Sequence, residues 1–125
     1  MILLDSHGWI EYFAAGKLAA KYEKYVEQAS EENTITPTII VYEVYKKVRR
    51  EKGEEMALEV YGQLARTKIV PLSEELAISA ADVSLKLGLG MADSIIYATA
   101  RSEQARLVTG DEHFKGLEDV ELIGD

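Results

Sequence analysis

The chain reads as an α/β fold, three layers deep (α/β/α), around a mainly parallel sheet of four to five strands. Three observations predict it. Short apolar runs alternate with amphipathic stretches along the chain, the pattern of a parallel sheet with helices on both faces. Glycine, proline and capping residues fall at the joints of that pattern. No repeat, low-complexity tract or linker interrupts it, so residues 1–125 are expected to form a single domain.

The elements follow in order. Residues 1–4 are apolar and stop at Asp5, which makes them a first strand. Residues 8–15 and 18–30 carry helical periodicity. Residues 34–36 form the next strand, and Pro37 after Thr36 marks a helix start, with proline in the first turn of a helix over 38–51. Gly53 separates it from a helix over 54–67, and residues 68–70 are a third strand. Ser73 with Glu74 and Glu75 opens a helix over 74–87. Gly88 and Gly90 end it and lead closely into a helix over 92–103. Residues 106–109 and 120–123 supply the remaining strands.

Composition narrows the function. The formal net charge is −8 and the pI near 4.8. That balance argues against a broad basic surface for nucleic acid, but not against local contact through a metal and a few cations. There is no cysteine, which removes disulfides and thiolate metal sites. The apolar start is too short for a signal peptide or a membrane helix, so a cytoplasmic protein without membrane attachment is expected.

Four acids interrupt apolar sequence: Asp5 after 1–4, Glu43 within 39–44, Asp93 within 89–96, and Asp111 after 107–110. Carboxylates are rarely buried alone, because losing their hydration costs several kcal/mol. Each has an ordinary explanation. Asp5 and Asp93 could cap helices, Glu43 could pair with Lys46 or Lys47, and Asp111 could be a turn residue. Their positions along the alternation tell more. In an open parallel sheet ligands bind beyond the carboxyl ends of the strands, and all four acids map to that edge. A convergent set would hold a hard divalent cation, Mg2+ or Mn2+. Zinc is disfavoured, since His7 and His113 are the only histidines and each reads as a surface or capping residue.

Four short pieces carry a resemblance: residues 3–6, 37–44, 90–98 and 107–114. In this order and spacing they resemble the PIN domain, specifically the VapC-type toxins of bacterial and archaeal toxin–antitoxin pairs. The resemblance implies that Asp5, Glu43, Asp93 and Asp111 are the catalytic acids of a metal site. Asp5, Asp93 and Asp111 would be the ligands of Mg2+ or Mn2+, and Thr109 and Ser6 would support them. It further implies cleavage of RNA by in-line attack of a metal-activated water, inhibition by a cognate antitoxin, and a homodimer. Gly110 departs from the pattern, since many relatives carry a larger, often basic residue there. Weaker substrate contact and a sharper turn are both open readings.

Two features stay ambiguous. Lys46, Lys47, Arg49 and Arg50, with Lys52, could contact RNA phosphates or simply solvate a helix face. Trp9, Tyr22, Tyr25, Tyr42 and Tyr45 could stack bases, but at helical spacing they read better as packing for the core, an antitoxin or a second copy. Among other classes, a signalling receiver is excluded because no Asp lies between Asp5 and Asp82. A haloacid dehalogenase-type phosphatase is disfavoured, as His7 stands where its second Asp belongs. A non-catalytic PIN-like binding module and a housekeeping RNA-processing nuclease remain as alternatives.

Overall fold

A computed structural model describes residues 1–124. Five strands, β1 (Ile2–Leu4), β2 (Thr34–Pro37), β3 (Lys68–Val70), β4 (Arg106–Thr109) and β5 (Val120–Leu122), form one sheet in the order β3-β2-β1-β4-β5. Every pairing is parallel. The sheet is thus wholly parallel, where a mainly parallel one was expected.

Six helices connect the strands: α1 (Ser6–Phe13), α2 (Ala19–Glu27), α3 (Thr38–Lys52), α4 (Glu54–Leu64), α5 (Glu74–Leu87) and α6 (Met91–Ser102). From β1 through β2 to β3 the chain steps one way across the sheet, and from β3 to β4 it reverses. Right-handed crossovers then place α1 to α4 on one face and α5 and α6 on the other. The central strand is consequently buried from both sides, and Leu3, Leu4, Ile35, Leu107 and Val108 are inaccessible to solvent. β1 lies between β2 and β4, whose connections leave in opposite directions, which makes the β1–β4 joint the switch point where a crevice opens.

Element types agree with the sequence, and the boundaries shift for local reasons. α1 begins at Ser6 rather than residue 8 because Asp5, in extended conformation, caps it by accepting the Ser6 N–H at 2.7 Å. Pro37 closes β2 and precedes the first turn of α3 instead of entering it. α2 stops at Glu27, short of residue 30, because Asn33 ties the following turn by accepting from Ser30 N (2.9 Å) and donating to Gln28 O (2.8 Å). α4 ends at Leu64, where the Thr67 hydroxyl donates to the Leu64 carbonyl at 2.7 Å. Gly88 ends α5 in the left-handed conformation, φ 74°, as a glycine C-cap should.

Candidate metal centre

The four acids meet around a cleft of about 300 Å³ at the carboxyl edge of the sheet, lined by Asp5, Ser6, His7, Glu43, Asp93, Ile96, Gly110 and Asp111. Each arrives from a different element. Asp5 ends β1, Asp111 follows β4, Glu43 sits in the second turn of α3, and Asp93 in the first turn of α6.

Asp5 is buried at the floor, 5% exposed. Its Oδ1 accepts from Ser6 N, and its Oδ2 accepts the Thr109 hydroxyl at 2.7 Å. Thr109 Oγ1 in turn accepts the Asp111 N–H at 3.0 Å. Two acids 106 residues apart in sequence are therefore tied through one fully buried hydroxyl. The capping reading of Asp5 is correct as far as it goes. It accounts for one carboxylate oxygen and leaves the burial of the charge unexplained.

Glu43 departs from the surface ion pair open to it, since Lys47 turns to Glu51 at 2.9 Å and Lys46 to the Tyr42 hydroxyl at 3.2 Å. Its neighbours Ile40 and Val44 are fully buried, and its Oε1 is buried without a hydrogen-bond partner among the described residues. Asp93 is not the cap of α6, a place taken by Gly90. Asp111 does cap a short 3-10 turn, Glu112–Phe114, by accepting the His113 N–H at 2.9 Å.

The electrostatics of the cleft favour a cation. Burial holds the Asp5 carboxyl above its ordinary range, and the charges of Asp111 and Asp93 add to this while Thr109 and Ser6 oppose it. Glu43 is raised by burial and then by the Asp5 charge, with the Ser6 hydroxyl working the other way. An oxygen-rich set with a buried, unpartnered carboxylate oxygen suits a hard divalent ion, which would relieve all of these costs together. Among the described residues, Asp93 and Asp111, with His113, present donor atoms within 4.8 Å of one another, and Asp5 and Glu43 line the same cleft outside that group.

His113, which reads in sequence as a surface or capping residue, stands against two of the acids. His113 Nδ1 stands 3.0 Å from Asp93 Oδ2 and 3.3 Å from Asp111 Oδ1. The available signal was its place two residues after Asp111, in a turn that Asp111 itself caps. His7 lines the cleft half-exposed, with Nε2 3.7 Å from Glu11 Oε2. Gly110 is explained by space. Its φ is not positive, and a Cβ there would lie 2.8 Å from the Tyr22 hydroxyl, so close approach rather than a sharper turn requires glycine. Lys46, Lys47, Arg49 and Arg50 do not line the cleft, and Arg49 pairs with Glu54 at 3.4 Å. Of the aromatics, Trp9 and Tyr22 are core, while Tyr42 is exposed on α3.

A family model described as "PIN domain" matches residues 2–120. The chain belongs to the PIN domain family. No curated protein matches it by sequence. Solved structures share its fold. A toxin–antitoxin complex from Klebsiella pneumoniae superposes with TM-score 0.80 at 21% identity, covering 97% of this chain and 96% of that one. A sarcin–ricin-loop-cleaving VapC toxin of Mycobacterium tuberculosis gives 0.79 at 14% identity over 99% and 100%. The Rickettsia felis VapBC complex bound to promoter DNA gives 0.75 at 22% identity over 98% of each chain. Four strands of this PIN domain, the first residue of β5, and the four acids at its carboxyl edge fall within the matched region.

Proposed function

We propose that this PIN domain is a metal-dependent ribonuclease, the toxin of a VapBC-type toxin–antitoxin pair, with residues 1–125 acting as one domain. The observation that carries the reading is the convergence of Asp5, Glu43, Asp93 and Asp111 at the β1–β4 switch point, with two of them resisting ionisation. An acidic cleft repels a phosphodiester unless a cation intervenes. A bound Mg2+ or Mn2+ would supply that charge and lower the pKa of a coordinated water.

The remaining roles belong to the chain's own residues. Asp5, Asp93 and Asp111 would hold the cation, and Thr109 and Ser6 fix the Asp5 carboxylate for that role. Glu43, raised and without a partner at Oε1, would take a proton from the attacking water in this reading. Lys46, Lys47, Arg49 and Arg50 are proposed to meet the RNA backbone outside the cleft. Solved neighbours that are toxin–antitoxin complexes support a cognate antitoxin as partner, and a homodimer is proposed with it. No helix among the described residues is long and apolar enough to cross a membrane, and a cytoplasmic location is part of the proposal.

The test is RNA cleavage by the wild type, Asp5→Asn and Asp93→Asn, with Mn2+ and with EDTA. Each variant is expected to lose about 10²-fold or more in rate, and EDTA to abolish cleavage. Wild-type rates in both variants, or indifference to EDTA, would sink the proposal. RNA bound but never cut by the intact protein would favour the binding-module reading. Growth unaffected by expression of an active nuclease would favour an RNA-processing role.

A further inference from the structure

The mouth of the cleft offers a nitrogen as well as oxygens. Asp93, Asp111 and His113 each present one donor atom, and the three lie within 4.8 Å of one another. The separations from His113 Nδ1 are 3.0 Å to Asp93 Oδ2 and 3.3 Å to Asp111 Oδ1. Around an octahedral ion with bonds of about 2.1 Å, adjacent donors stand about 3.0 Å apart and opposite ones about 4.2 Å. Both separations from His113 Nδ1 match neighbouring corners of such an ion, and they are equally those of direct hydrogen bonds.

The geometry is also built rather than accidental. The His113 amide is held by Asp111 Oδ1 at 2.9 Å, and the next residue, Phe114, is fully buried and pins the turn. Asp93 precedes Ser94, Ile95 and Ile96, all buried, so the start of α6 is fixed as well. The imidazole itself is exposed, with a side-chain accessibility of 73%, yet it leans across to α6 instead of into solvent. Its ring nitrogen is held there by the two carboxylates.

We infer that His113 is a nitrogen ligand of the divalent ion held by Asp93 and Asp111, and that it tunes this site toward Mn2+ over Mg2+. The inference rests on the reading of the acids as a metal centre. Mg2+ selects oxygen donors and keeps its waters, whereas transition ions accept imidazole readily. A nitrogen corner therefore discriminates between them. If His113 only oriented the carboxylates through hydrogen bonds, it would help both ions alike.

The experiment uses the full chain with Mn2+ and Mg2+ as probes. Pulsed electron paramagnetic resonance of bound Mn2+ reads nitrogen coordination directly, and calorimetry gives both affinities. The wild type is expected to show nitrogen modulation that persists in His7→Gln and disappears in His113→Gln. His113→Gln, which keeps a polar side chain beside the acids, should weaken Mn2+ about 10-fold and Mg2+ by less than about 2-fold. Absence of nitrogen modulation, its loss in His7→Gln instead, or equal weakening of the two ions would overturn the assignment while leaving a carboxylate metal centre intact. Failure of the wild type to bind either ion would overturn both.

Discussion

Thr109 donates its hydroxyl to Asp5 across the β1–β4 joint at 2.7 Å, and the same oxygen accepts the amide of Asp111 at 3.0 Å. One side chain thus orients the buried acid and the start of the loop bearing its partner. Thr109→Val keeps the shape and removes both bonds, leaving a buried carboxylate oxygen and an amide without partners. Stability should fall by about 1–3 kcal/mol, and RNA cleavage should fall with it, whereas Thr109→Ser should restore most of both. Urea unfolding beside a cleavage assay checks this. Equal behaviour of the valine and serine variants would contradict it.

Metal-free protein should carry a pH signature of the cleft. Asp5 and Glu43 both hold their protons more tightly folded than unfolded, relative to ordinary values of 3.8 and 4.5. The folded state then binds more protons in the window between the ordinary and the raised values. This contribution to stability is complete below the ordinary values and is lost as pH rises through the raised ones. Glu43→Gln removes the titration at one of the two. In EDTA the variant should melt a few degrees above the wild type at neutral pH, with the gap closing toward acid. Added Mn2+ should raise the wild type more than the variant. Calorimetric scans across pH decide the matter.

Gly110 and Tyr22 should behave as a pair. The alanine methyl of Gly110→Ala would press on the Tyr22 hydroxyl at 2.8 Å, and that hydroxyl is itself buried without a hydrogen-bond partner among the described residues. The single variant is expected to cost about 1–3 kcal/mol. Tyr22→Phe alone should be neutral or stabilising, since it deletes an orphaned polar group. Combined, the phenylalanine should recover much of the alanine's cost. A double-mutant cycle with no coupling would place the strain elsewhere.

If the basic half of α3 meets RNA, Lys46→Ala should flatten the dependence of binding on salt by about one unit of slope and leave the cleavage rate of bound RNA unchanged. The polar contacts of Lys46 among the described residues are with Tyr42, within its own helix, with the ammonium 5.4 Å from the ring centroid. Its loss should not disturb the fold. Filter binding at several salt concentrations gives the slope.

Much of this molecule is legible from its residues. Strands and helices announce themselves through period and punctuation, and the acids stand out because each follows or interrupts apolar sequence. Local capping chemistry is harder to see. Asp5 starts a helix two residues before the apolar period does, and Asn33 ends one three residues early through side-chain bonds that no periodicity reports. Relations across the sheet are least visible. The Thr109 relay depends on the register that sets Leu4 beside Val108, and His113 matters only because α6 brings Asp93 to it. Gly110 reads as a turn until Tyr22 is known to stand against it.

The central position of β1 has a consequence for how such an enzyme comes into being. Its register partners on β4 run from Arg106 to Val108, and the Thr109–Asp5 bond spans 104 residues. A loop of that length must close before any acid from the end of β4 can join those near β1. A growing chain that has not reached β4 carries Asp5, Glu43 and Asp93 but lacks the strand and the hydroxyl that assemble them. The proposed activity would therefore require β4 to be made and paired with β1 before the four acids stand together.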